Sequence, residues 1–193
     1  MASHQTDTPS AWVQRFAALI RAGGTVLDLA CGSGRHTRLL RALGHTVVAV
    51  DRDASLLRSL EGDPAVQPLC ADLETGAWPF AGRQFDGIVV TNYLHRPLFA
   101  HLRAALARGG VLIYETFAQG NERYGRPANP AFLLRRSELL QEAEGLQIVA
   151  FEQGRVTHPR PAVVQRICAL RGDDPMLLTP GIAGPDAESF RLE

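Results

Sequence analysis

The stretch TVLDLACGSGRHT, Thr25 to Thr37, constrains the fold more than any other part of the chain. A short apolar run that breaks at two glycines and resumes with helical spacing is a strand, a tight turn and a helix. Glycines at Gly32 and Gly34 let the backbone take turn geometries closed to other residues and let it approach a ligand closely. Most turns of this kind bind phosphate, because the helix N-terminus offers free N–H groups and a partial positive charge. Asp28 argues against phosphate here, since a carboxylate repels a pyrophosphate. In the dinucleotide fingerprint the third glycine would fall at Thr37, a further departure from that pattern.

Strand and helix signals alternate on both sides of this unit. An N-terminal helix over about 9–22 places Trp12, Phe16, Leu19 and Ile20 at helical spacing and stops at Gly23 and Gly24. Strands are expected at TVLDLA, TVVAVD, VQPLCADL (weaker, interrupted by Pro68), FDGIVVTNYL and GVLIYETF. Helices are expected at GRHTRLLRALG, at DASLLRSLEG with Asp53 as its cap, through LFAHLRAALARGG, and at RRSELLQEAEG. The last two strand segments, LQIVAFEQG and PAVVQRICALRG, have no helix between them and must pair as a hairpin. The fold class is therefore α/β: a doubly wound, mostly parallel seven-stranded sheet with an antiparallel C-terminal hairpin, not the six-strand pattern of nicotinamide-binding folds. With 193 residues and 46% hydrophobic content, 1–193 is read as one domain, whose tail 172–193 is rich in Pro, Gly and Asp and is expected to be poorly ordered.

Twenty basic residues balance twenty acidic ones, so no net field attracts a polyanion, and neither nucleic acid nor an anionic membrane is expected as a partner. Cys31, Cys70 and Cys168 are odd in number and lack metal-ligand spacing, which fits reduced thiols and no metal. No apolar run reaches the roughly 20 residues that span a bilayer, and the start MASHQTDTPS lacks a signal pattern, so a cytoplasmic monomer or homodimer is expected.

In order and spacing, LDLACGSGRHT, VAVDRD, CADLETGAWPF, FDGIVVTNYLHR and LARGGVLIYETF resemble the class I S-adenosylmethionine-dependent methyltransferases, over about 24–171. The resemblance implies a Rossmann-like methyltransferase fold and S-adenosyl-L-methionine as cofactor. Its methionine end carries an ammonium beside a sulfonium, which suits Asp28. By the same resemblance Ala30, Gly32 and Gly34 run along the cofactor, Asp51 takes two ribose hydroxyls beside Arg52, and Asp72 takes the adenine amine. The Leu73 backbone then meets the ring edge and Asn92 the amino acid end. Each has a plainer alternative: a mere tight turn for the glycines, a helix cap for Asp28, an exposed turn for Asp51 and Asp72.

TNYLHR, Thr91 to Arg96, falls where open α/β sheets present ligands, so Tyr93 and His95 are the catalytic candidates, Tyr93 as a wall or else a core residue, and His95 as a base or else a helix cap or packed ring beside Pro97. It does not match the N-P-P-[YFW] pattern of enzymes that methylate exocyclic base amines. The long polar segment Glu115 to Pro130 is expected to be a lid that binds substrate through Glu115, Arg123, Tyr124 and Arg126, the arginines suiting an oxyanion, with a plain solvated loop as the alternative. A second loop with Arg155, His158 and Arg160 is a candidate to close the same mouth. The function expected is methyl transfer to a small-molecule acceptor, anionic if the arginines serve it, as in the tellurite-resistance and thiopurine types that the chain resembles. The alternatives are a protein or RNA methyltransferase acting with a partner, and a non-catalytic cofactor-binding module. The acceptor atom stays open.

Overall fold

The computed structural model describes residues 8–172. In chain order its elements are α1 (Ala11–Phe16), β1 (Thr25–Leu29), α2 (Arg35–Ala42), β2 (Thr46–Asp51), α3 (Ala54–Leu57) and β3 (Val66–Cys70). These are followed by β4 (Phe85–Thr91), α4 (Leu98–Ala105), β5 (Leu106–Phe117), α5 (Glu138–Glu142), β6 (Gln147–Val156) and β7 (Ala162–Leu170). One seven-stranded sheet runs β3-β2-β1-β4-β5-β7-β6, with parallel pairing through β5 and antiparallel pairing of β7 to both β5 and β6. The sheet matches the sequence reading, hairpin included.

The central strands explain the architecture. β1, β2 and β4 are runs of Val, Leu and Ile buried on both faces, which is stable only if helices cover both sides of a parallel sheet. One face buries Leu27, Leu29, Val48, Val50, Ile88 and Val90 with α4, and the other packs Trp12, Phe16 and Ile20 against Val26, Val47 and Val89. Strand order reverses between β1 and β4, so their carboxyl ends diverge and leave the crevice in which such sheets bind ligands.

Several boundaries differ from the sequence reading. α1 stops at Phe16, a 3-10 turn covers Ala17–Leu19, and Ile20 becomes extended. Ile20 then fills space that only a glycine leaves open, since a Cβ on Gly87 would lie 2.6 Å from its Cδ1. α4 ends at Ala105 rather than continuing through Gly110, because Leu106 turns extended, is fully buried and pairs with Phe85. The helices at 53–62 and 135–145 shorten to α3 with a 3-10 turn over Arg58–Leu60, and to α5. Pro68 does not interrupt β3, because β3 is an edge strand and the missing N–H costs no ladder bond there. Glu115–Phe117 belong to β5, so the long segment becomes a loop only beyond them, with 3-10 turns at Asn121–Arg123 and Pro130–Phe132. The tail expectation falls beyond residue 172, outside the described residues.

Candidate functional site

The β1–α2 turn is built from three left-handed residues, Ala30 (φ 54°), Gly32 (φ 56°) and Gly34 (φ 81°). Ala30 carries a Cβ in that region, a strained choice of the kind that collects at functional turns. Gly34 has a second constraint, since a Cβ there would come 2.4 Å from Leu60 Cδ2. Asp51, at the end of β2, reaches under this turn. Its Oδ2 accepts the Gly32 N–H at 2.8 Å and its Oδ1 the Asp53 N–H at 3.0 Å. Each carboxylate oxygen thus keeps a lone pair for another donor. Arg52 beside it is exposed.

Asp28 is 1% exposed and accepts the Thr37 hydroxyl at 2.6 Å. Gly34 takes the cap position of α2, and the Asp28 carboxylate bonds the backbone as well as the hydroxyl of Thr37 in the first turn of that helix. Burial pushes the Asp28 carboxyl up to about 6, against the Thr37 hydrogen bonds and the Arg35 charge, which pull it down. Asp72 is exposed and makes the turn after β3, accepting the Glu74 N–H at 2.9 Å and the Thr75 hydroxyl at 2.8 Å. Those bonds hold its carboxyl below the usual range. The Leu73 side chain is buried in the core, so only its backbone can face a ligand.

At the end of β4, Asn92 is left-handed (φ 55°) and donates its N–H to the Glu115 carbonyl at 2.9 Å. The Tyr114 hydroxyl donates to the Tyr93 carbonyl at 2.8 Å and fixes the segment. The Tyr93 hydroxyl is buried without an aligned hydrogen bond, although Glu74 is close enough to act on it. Burial first, then the charges of Glu74 and Asp72, push this phenol well above its ordinary range, so it stays protonated and serves as a donor, not a base.

Tyr93, Asn92, Glu74, Thr116 and Phe117 line a cavity of about 190 Å³ that Pro127 and Phe132 close from the lid segment. A larger hollow of about 490 Å³ outside it shares Pro127 and Phe132 and adds Arg126 and Asn129. Of the expected lid residues, Arg126 lines this outer hollow. Tyr124 is exposed under the Arg155 guanidinium, 5.6 Å from its ring centre. Arg160 lies 5.8 Å from the Phe117 ring centre and donates to the Arg126 carbonyl at 3.4 Å. Arg123, His95 and His158 line neither space.

Glu115 points to the other face of the sheet. Its carboxylate accepts the Ser10 hydroxyl at 2.9 Å and lies 2.6 Å from Arg166 Nε, an ion contact without hydrogen-bond alignment. Ser10 also donates its N–H to His36 Nε2 at 3.0 Å, and Arg35 donates to the Thr8 carbonyl at 3.2 Å. Residues 8–10 are thereby strapped across the glycine turn to the end of β5. Because Nε2 accepts, the His36 proton is assigned to Nδ1, 3.3 Å from Thr91 Oγ1. Burial, then Arg35, drives the His36 pKa down to about 3, so it stays neutral.

Sequence reasoning also missed Arg96. Its guanidinium donates to both oxygens of Glu138, at 2.6 and 3.0 Å, and to the carbonyls of Ala131 and Leu133. This fork fixes the turn that carries Phe132 over the cavity. An arginine directly after a ligand-presenting strand, ahead of a buried glutamate in a polar helix, was the available signal.

Residues 26–110 match a family described as a methyltransferase domain. Malonyl-[acyl-carrier protein] O-methyltransferase of Erwinia pyrifoliae is 28% identical over 161 residues, 76% of this chain and 60% of that protein. The 18S rRNA (guanine-N(7))-methyltransferase bud23 of Schizosaccharomyces pombe is 36% identical over 84 residues, 39% of this chain and 30% of that one. The chain thus spans less than two thirds of these relatives. The crystal structure of TehB from Haemophilus influenzae superposes with a TM-score of 0.70 at 19% identity, over 86% of this chain and 63% of that one. Among the described residues no helix is long and apolar enough to cross a membrane.

Proposed function

We propose that the chain is a class I S-adenosylmethionine-dependent methyltransferase that methylates a small-molecule acceptor carrying negative charge, a reading that its methyltransferase-domain match and its fold support. The observation that carries this reading is the glycine turn held by Asp51 at the switch point of the sheet, where β4 and β5 end in a walled cavity lined by Asn92, Tyr93 and Thr116.

The residues fit S-adenosyl-L-methionine. Asp51 keeps lone pairs for two ribose hydroxyls, the left-handed turn at Gly32 and Gly34 lets backbone approach the ligand, and Asp72 and the Leu73 backbone stand on the adenine side. Asp28 supplies the negative charge for the ammonium, and Asn92 borders the amino acid end. The bound cofactor supplies an electrophilic methyl group on a positively charged sulfur. The protein's part is to hold a nucleophile in line and exclude water, with Phe117, Pro127 and Phe132 walling the cavity and the Tyr93 hydroxyl offering a hydrogen bond. His95 is the remaining base candidate for an acceptor that must lose a proton, and it has to swing toward the cavity to serve. Arg126 is the lid arginine best placed for an anionic acceptor.

The buried carboxyl makes a prediction about protons. With its pKa near 6, Asp28 is mostly protonated at pH 5 in the free protein, and an ammonium docking beside it favours the carboxylate. S-adenosylhomocysteine binding at pH 5 should release close to one proton more than at pH 8, read by calorimetry in two buffers of different ionisation enthalpy. An identical proton count at both pH values removes Asp28 from the ammonium site.

Methyl-labelled cofactor, incubated with a panel of thiols, carboxylates and oxyanions and separately with cell-extract macromolecules, tests the function itself. Label in the small-molecule fraction is the expected result. Label confined to protein or RNA favours the macromolecular alternative, and the rRNA methyltransferase relative makes that arm necessary. Cofactor binding without any transfer favours a non-catalytic module.

A further inference from the structure

Resting on that reading, we propose that the acceptor is two-ended: an apolar or aromatic body whose methyl-accepting group sits in the inner cavity while a separate anionic group sits outside, between Arg126 and Arg160. Three observations combine.

The inner cavity is a poor place for an anion. Glu74 lines it, Asp72 lies two residues away, and no cationic side chain is among its lining residues. A small inorganic oxyanion filling that space would meet a carboxylate and no guanidinium, so the group that accepts the methyl and the group that carries the charge belong at different ends.

The middle of the path is apolar. Pro127 and Phe132 wall both spaces, and Phe117 faces them from the end of β5. Phe132 is 47% exposed, a large apolar surface left to solvent where Arg96 pins its turn. An aromatic or aliphatic body covers that surface; a compact polar acceptor leaves it wet.

The outer end is cationic. Arg123, Arg126, Arg155 and Arg160 have no carboxylate within ion-pair distance among the described residues, in contrast to Arg96, Arg103, Arg135 and Arg166. Two of the four are linked: Arg126 lines the outer hollow, and Arg160 donates to the Arg126 backbone carbonyl while lying over Phe117. A fork of guanidinium donors at the end of an apolar channel recognises a carboxylate, sulfonate or phosphate. Arg160, from the β6–β7 loop, thereby joins the specificity residues.

The probes are 4-mercaptobenzoate and 4-mercaptobenzamide, which share body and thiol and differ in the charge at the far end. Each is titrated into protein saturated with S-adenosylhomocysteine and followed by ligand-observed NMR, with the cofactor-product affinity measured in the same samples. The carboxylate should bind about tenfold more tightly than the amide, and in Arg126→Ala/Arg160→Ala the two should come within about twofold. Both arginines are exposed, so the variant keeps the fold. Equal binding of the two probes, failure of both to bind, or a preference that survives in the double variant overturns the inference. S-adenosylhomocysteine failing to bind the wild-type protein strikes at the proposed function instead, so the two failures are distinguishable.

Discussion

Asp51→Ala should weaken S-adenosylhomocysteine binding by about a hundredfold or more while the protein stays folded. Two ribose hydroxyls donating to a charged acceptor contribute about 1.5 to 3 kcal/mol each before desolvation, and about 1.4 kcal/mol is a factor of ten. The structure adds a second loss. The same carboxylate holds the Gly32 N–H at 2.8 Å, so its removal also frees the turn that must approach the ligand. The fold tolerates the change because Asp51 stands half-buried at a strand end, and the core beneath it is built from Val48 and Val50. Calorimetry gives the affinity and a thermal melt controls for folding. A folded variant that binds within about twofold of wild type would remove Asp51 from the site.

Glu138→Ala should cost about 3 kcal/mol of stability at pH 7, the lower end of what breaking a buried ion pair costs, because the Arg96 side chain is 32% exposed while that of Glu138 is 1% exposed. Four donors converge on this carboxylate: two from Arg96, the Arg135 N–H at 2.6 Å and the Arg135 guanidinium at 3.3 Å. Burial alone would raise its pKa, but the Arg96 and Arg135 bonds outweigh it and hold the group down at about 2. A depressed carboxyl stabilises the fold above its unfolded pKa, near 4.5, and loses that contribution as pH falls through 2. Urea unfolding should therefore show wild type losing stability between pH 4.5 and 2, with a flatter curve for the variant. A loss below about 0.5 kcal/mol at pH 7 would contradict the role given to this pair. The Ala131–Leu133 turn, released from Arg96, should also loosen over the cavity.

The sheet was readable because buried parallel strands are near-continuous apolar runs separated by helices, and the hairpin because nothing helical fits between its two strands. Helix ends were less legible. Ile20 and Leu106 look helical by composition and spacing, and only their tertiary partners, Gly87 and Phe85, pull them into extended backbone. The cofactor candidates Gly32, Gly34, Asp51 and Asp72 come together because local turn chemistry ties each to the end of its own strand. The acceptor side depends on contacts far apart in sequence. Strand alternation sends Glu115 to the face of α1, where Ser10 and Arg166 take it, and leaves Thr116 in the cavity. Phe132 reaches the cavity because Arg96, 36 positions earlier, holds its neighbours' carbonyls, and no local pattern announces that.

The most direct test of the central claim is a paired titration of the wild-type protein with S-adenosylhomocysteine and with NAD. Asp28 and Asp51 flank a turn that lacks the third glycine of the dinucleotide pattern, so the sulfur-containing nucleoside should bind in the micromolar range and NAD should give no measurable heat. NAD binding with no response to S-adenosylhomocysteine would contradict the methyltransferase account.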